Sequence, residues 1–161
     1  MGKINVIIVD DNDRIVSLLL AILEGDSDIE VVGTSVNGME ALDIIKEKKP
    51  DVVLLDLFMP KLDGFGVMEK VRLDESYIKI PTFIVISAIG QEGVTENAFE
   101  LGARYYIMKP FDNNMILSRI KQVCSDVHNN RIIGNQQVTA IESNDAYQER
   151  NLEADVTRNP T

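Results

Sequence analysis

Cysteine is all but missing from this chain. Cys124 stands alone, which excludes an intrachain disulfide and suits a reducing compartment. It falls within a helical pattern, where a small core or half-buried residue is the default role. Histidine is as scarce: the single His128 lies where that pattern ends, without the partners a ligand or phosphohistidine role requires. Long apolar runs are also lacking. The longest, Leu18 to Leu23, falls far short of the ~20 residues that a membrane-spanning helix needs. The N-terminus has no signal-peptide core. Met1-Gly2 does not open a myristoylation motif either, because Val6 stands where Ser or Thr is wanted. A soluble, cytoplasmic protein is the expectation. Positive charge is in deficit as well, with 16 Lys and Arg against 26 Asp and Glu and a formal net charge of −10. That balance argues against nucleic-acid binding through this segment's own surface.

What the chain does have is apolar content of 45% over 161 residues, enough for the core of one domain with an extra tail. Strand and helix patterns alternate five times. The strands are read at Lys3 to Val9, Ile29 to Val36, Val52 to Leu55, Thr82 to Ile86 and Arg104 to Met108. Helical spacing places Ile15, Val16, Leu19, Leu20 and Leu23 on one face of the first helix, and Met39, Leu42 and Ile45 on a face of the second. Val67, Met68 and Val71 mark the third, Val94, Ala98 and Leu101 the fourth, and Ile116, Ile120, Val123 and Val127 the fifth, read from Asn113 to Asp126. Five such units predict an α/β, flavodoxin-like (βα)5 doubly wound parallel sheet of strand order 2-1-3-4-5. From His128 to Thr161 the pattern fades into Asn- and Gln-rich sequence, which reads as a flexible linker or tail. The domain is thus expected over residues 1–127 and the tail over 128–161.

The strand ends carry the chemistry. Val6 to Val9 runs into Asp10-Asp11, and Val52 to Leu55 runs into Asp56. Phe83 to Ile86 ends on Ser87, and Tyr105 to Met108 ends on Lys109-Pro110. In parallel sheets ligands sit at the carboxyl ends of the strands, so three carboxylates, a hydroxyl and an ammonium should share one pocket. That set suits Mg²⁺ and a phosphoryl group, with Asp56 placed to be phosphorylated. Asp11 and Asp56 are the expected direct metal ligands, Asp10 acts through a water, and the Phe58 backbone carbonyl completes the protein's share. Lys109 is expected to pair with Asp56 at rest and with phosphoryl oxygens afterwards. Singly, each residue has a plainer reading: Asp10, Asp11 and Ser87 as helix caps, Lys109 as a snorkelling surface residue. All four strand ends together, in this order, are not explained that way.

These residues resemble the receiver domain of two-component response regulators from about Lys3 to Val127. The matching stretches are Val9 to Asn12, Leu55 to Gly64, Ser87-Ala88 and Lys109 to Phe111. The resemblance implies Asp56 as phosphoacceptor, Asp10 and Asp11 on Mg²⁺, Ser87 and Tyr106 as a switch pair, and Lys109 as the pocket lysine. Ser87 departs from the commoner Thr, losing the methyl that limits its rotamers, so looser coupling is expected. Implied partners are a histidine kinase or histidine phosphotransferase, and a second copy in a homodimer formed on phosphorylation. Tail residues Asn151 to Thr157, with Ala88 to Glu92 and Phe111-Asp112, are similar to regulators that control sporulation. They imply that DNA is bound only by an output domain lying beyond this segment.

Two other functions compete with this one. A haloacid-dehalogenase-type phosphatase wants a second Asp two positions after its nucleophile, where this chain has Phe58. A flavodoxin-like nucleotide binder wants a glycine- or hydroxyl-rich first loop, where this chain has Asp10-Asp11-Asn12-Asp13. A standalone receiver that relays phosphate without an output domain is the remaining alternative.

Overall fold

The computed structural model describes residues 2–133 and 140–142. Strands β1 (Ile4–Val9), β2 (Ile29–Ser35), β3 (Val52–Leu55), β4 (Thr82–Ser87) and β5 (Ala103–Met108) alternate with α1 (Asp13–Glu24), α2 (Gly38–Lys48), α3 (Gly64–Leu73), α4 (Glu92–Glu100) and α5 (Asn113–Ile133). The strands pair in parallel in the order β2-β1-β3-β4-β5, as the alternation predicts.

Period-two alternation splits the apolar strand residues between two layers. Val6, Ile8, Val52, Leu54, Ile84, Ile86, Tyr105 and Ile107 face α1 and α5, and bury Leu19, Leu23, Ile116, Ile120 and Val123. Ile7, Val9, Val53, Leu55, Phe83, Val85 and Tyr106 face α2, α3 and α4, and bury Ala41, Ile45, Val67, Met68, Val71 and Ala98. With helices on both faces the sheet has no wet side, which is why its central strands read as continuous apolar runs.

Caps set the helix entries. The Asn12 side chain accepts the amides of Arg14 at 3.0 Å and Ile15 at 3.4 Å, Asn37 accepts Glu40 N–H at 3.0 Å, and Asp63 accepts Gly66 N–H at 2.8 Å.

The structure departs from the sequence reading after Asp126. Helix α5 continues to Ile133, and a strand β6 (Ala140–Glu142) pairs in parallel with β5, extending the sheet order to β2-β1-β3-β4-β5-β6. The apolar period fades there, but a period reports a packed face, not helicity. No glycine or proline interrupts the chain between Asp126 and Gly134. The segment Asn151 to Thr157 lies outside the described residues.

Candidate functional site

Register builds the pocket. Val9 lies opposite Leu55, Leu55 opposite Val85, and Ser87 opposite Met108. One further step along β1 and β3 sets Asp10 beside Asp56, and one further step along β5 alone brings Lys109 to Ser87. Backbone bonds carry the ladder into the site: Asp56 N–H donates to the Val9 carbonyl at 2.9 Å, Asp10 N–H to Ser35 at 3.1 Å, and Lys109 N–H to Ser87 at 2.9 Å. The site residues are therefore held by the sheet itself.

Asp10, Asp11 and Asp56 each offer an oxygen, all within 4.8 Å of one another. Asp10 and Asp56 are buried, at 2% and 6% exposure, whereas Asp11 is open to solvent. Lys109 sits between the buried pair, with Nζ 2.8 Å from Asp10 Oδ2 and 3.7 Å from Asp56 Oδ1. The expected Lys109–Asp56 pair is present but secondary. Asp10 takes the closer contact on one oxygen while its other oxygen accepts the Asn12 amide at 2.9 Å. That leaves Asp56 the less compensated carboxylate. Burial and the charge of Asp10 push its pKa up to about 6; Lys109 pulls the other way, and Asp11 adds to the rise.

The capping explanation for the acidic pair fails, because Asn12 supplies the α1 cap and neither Asp10 nor Asp11 does. Three close carboxylates, two of them buried beside a single ammonium, fit a hard dication with oxygen ligands.

Ser87 is buried, and its Oγ accepts the Ile89 amide at 3.3 Å. Tyr106 is fully buried too. Its hydroxyl donates to the Ile89 carbonyl and also meets the Ser87 hydroxyl, and its ring packs 6.4 Å from Phe99. Burial raises its pKa, so the phenol is a neutral donor. Phe58 lies two residues past Asp56, its ring half exposed and edge-on to Phe65 at 6.3 Å.

Two backbone contacts at the site were not read from the sequence. Gly64, at the start of α3, lies so close that a β-carbon there would come within 2.4 Å of the Asp56 carbonyl oxygen. The Ile89 carbonyl anchors Tyr106. The dipeptide Asp63-Gly64 after a turn-rich loop was the available signal for the first. A backbone acceptor leaves no signal in a sequence.

The chain matches the family model of the response regulator receiver domain over residues 6–121 and belongs to that family. It is similar to the receiver domain of the putative response regulator NarL from Mycobacterium tuberculosis, at 29% identity and a TM-score of 0.71, over 78% of this chain and 98% of that one. It is also similar to a chain in a CheX-CheY-BeF3-Mg complex from Borrelia burgdorferi, at 31% identity and a TM-score of 0.69, over 76% and 90% of the two chains. The response regulator domain of Thermotoga maritima CheB gives 28%, 0.68, 76% and 97% for the same measures. Receiver domains are signalling phosphoacceptors of two-component systems rather than ordinary enzymes, and histidine kinases or phosphotransfer proteins supply their phosphoryl group. Among the described residues no helix is long and apolar enough to cross a membrane.

Proposed function

We propose that Asp56 accepts a phosphoryl group from a phosphohistidine of a kinase or phosphotransferase, and that Asp10, Asp11, Asp56 and the Phe58 carbonyl hold Mg²⁺ while it does so. The observation that carries this reading is the buried carboxylate of Asp56, within 4.8 Å of two others and 3.7 Å from an ammonium. Bound Mg²⁺ supplies the positive charge that offsets the carboxylates and the phosphoryl oxygens.

The chain's own groups do the rest. At neutral pH Asp56 is ionised, and one oxygen attacks phosphorus as the P–N bond of the donor breaks; the electron pair leaves with the imidazole nitrogen. Lys109 keeps Asp10 neutralised and offers the incoming oxygens a charge-assisted partner. The Ser87 hydroxyl turns to donate to the phosphoryl group, giving up the Ile89 amide. Tyr106, next to Ser87 and Ile89, passes that change to the surface formed by α4, β5 and α5.

Tyr106 already lies inward, against Ile89 and Ser87. The residues considered for the contact face are Val94, Ala98, Tyr105 and Arg119. Ala98 and Tyr105 are buried, the latter beneath Arg119 at 5.2 Å, so they support that face from below. We assign dimerisation and transcriptional output, in the initiation of sporulation, to the α4–β5–α5 surface around Val94 and Arg119. The support for sporulation is the stretch Ala88 to Glu92 together with Phe111-Asp112.

Incubation with acetyl phosphate and Mg²⁺, followed by intact-mass measurement, tests the phosphoacceptor. Wild type should gain one phosphoryl mass, Asp56→Asn none, and Asp11→Ala should react slowly. Equal labelling of Asp56→Asn would end the assignment. In the source organism an Asp56→Asn allele should abolish spores, and a normal spore yield would remove the sporulation role.

A further inference from the structure

Strand β6 lies along the outer edge of β5, where Ala140 pairs with Tyr105, Ile141 with Tyr106 and Glu142 with Ile107. An open β-edge presents unpaired amides and carbonyls and invites another strand. In this chain a segment of its own tail takes that place. The residue at the centre of the pairing is Tyr106, the same one that touches Ser87 and Ile89.

The position of the Tyr106 ring follows from the sheet order. Its hydroxyl reaches Ile89 and Ser87, at the end of β4, so the ring leans toward β4. The alternative rotamer would carry the ring away from β4 and over the outer edge of β5. That is the ground β6 covers, with Ile141 directly opposite Tyr106 in register. The docked tail strand and the outward ring therefore compete for the same edge.

We infer that residues 140–142 are a regulatory strand whose docking on β5 favours the inward Tyr106 and, through Ser87, the phosphorylated pocket. This rests on the phosphoacceptor reading above. Because coupling is reciprocal, a pocket that draws in Ser87 and Tyr106 must tighten the strand by the same factor. The tail thereby carries the state of Asp56 beyond the domain through backbone pairing, beside the surface around Val94 and Arg119 assigned to the second copy.

The full chain carrying Ala140→Pro with Ile141→Pro tests this. In a parallel ladder alternate residues turn their amides toward the neighbouring strand, so one of two consecutive prolines must remove a pairing donor. Hydrogen exchange without any ligand should show faster exchange of the β5 amides from Tyr105 to Ile107 in the variant. Titration with beryllofluoride and Mg²⁺ should need several-fold more reagent in the variant, within the ~5–150-fold range of such couplings. In wild type the same titration should slow exchange at residues 140–142. Equal β5 exchange in the two proteins would overturn the docking, and equal beryllofluoride affinity would overturn the coupling. If neither protein binds beryllofluoride, the phosphoacceptor reading and the coupling fall together, while exchange still decides whether the strand docks.

Discussion

Asp56 keeps its proton up to about pH 6, against an ordinary 3.8, because burial and the charge of Asp10 outweigh the pull of Lys109. The folded metal-free protein thus binds that proton more tightly than the unfolded chain. The stabilisation this gives is complete below the ordinary value and is lost as pH rises through about 6. Asp56→Asn removes the titration, so its melting temperature should gain on that of wild type between about pH 4 and about pH 7 in the absence of metal. A constant difference across that range would contradict the raised value. On the proposed ligand set Mg²⁺ would compete with the same proton, and its affinity should fall about tenfold per pH unit below the midpoint. If Asp56 is the phosphoacceptor as proposed, two other residues should lengthen the lifetime of its acyl phosphate. Hydrolysis needs a water held in line behind phosphorus; by resemblance to other receivers, the residues two after Asp56 and two after Ser87 hold it, and here these are the half-exposed Phe58 and Ile89, neither able to hydrogen-bond a water. Each missing positioned interaction of ~1.4 kcal/mol slows the step about tenfold. Phe58→Asn with Ile89→Glu should shorten the phosphoryl half-life by one to two orders of magnitude on that scale, followed as loss of phosphoryl mass over time. An unchanged half-life would refute it.

Helix α3 touches the site through its first residue. With a β-carbon at Gly64 2.4 Å from the Asp56 carbonyl and 2.9 Å from Leu57 Cα, Gly64→Ala must push α3 off the end of β3. Backbone cannot yield as the tip of a flexible side chain can. The variant should melt lower by an amount equivalent to about 1–3 kcal/mol, and Mg²⁺ titration should show weakened binding although no ligand is changed. The elements themselves were legible because strands buried on both faces leave short unbroken apolar runs and amphipathic helices leave a period: β3, a bare Val-Val-Leu-Leu, was placed from its run residue for residue. The strand order and the meeting of Asp10, Asp11, Asp56, Ser87 and Lys109 followed from those strand ends. Three things were not legible. The end of α5 and the existence of β6 depend on backbone pairing that no apolar period reports. The preference of Lys109 for Asp10 over Asp56 turns on about an ångström of geometry. The inward position of Tyr106 is a choice between rotamers, and one sequence permits both.

The pocket lies at one end of the sheet, and the segments that follow β1 and β5 there carry the exposed Asn12, Arg14 and Pro110 and the half-buried Ile15 and Phe111. On the proposed function, a kinase or phosphotransferase must approach there to bring its histidine within reach of Asp56. Ile15→Asp should reduce the rate of phosphotransfer from the cognate protein by about tenfold or more, as losing one apolar anchor does, while labelling by acetyl phosphate stays normal. Equal slowing with both donors would place the damage in the pocket instead of the docking surface. The pocket also has a history along the chain. Its first carboxylate and the ammonium that pairs with it stand 99 residues apart in sequence yet 2.8 Å apart in space. A chain still emerging from the ribosome, or clipped before Lys109, lacks that cation and the strand that carries it. On the proposed function the ability to hear the signal should therefore arrive only with the fifth strand, and an unfinished receiver should stay silent.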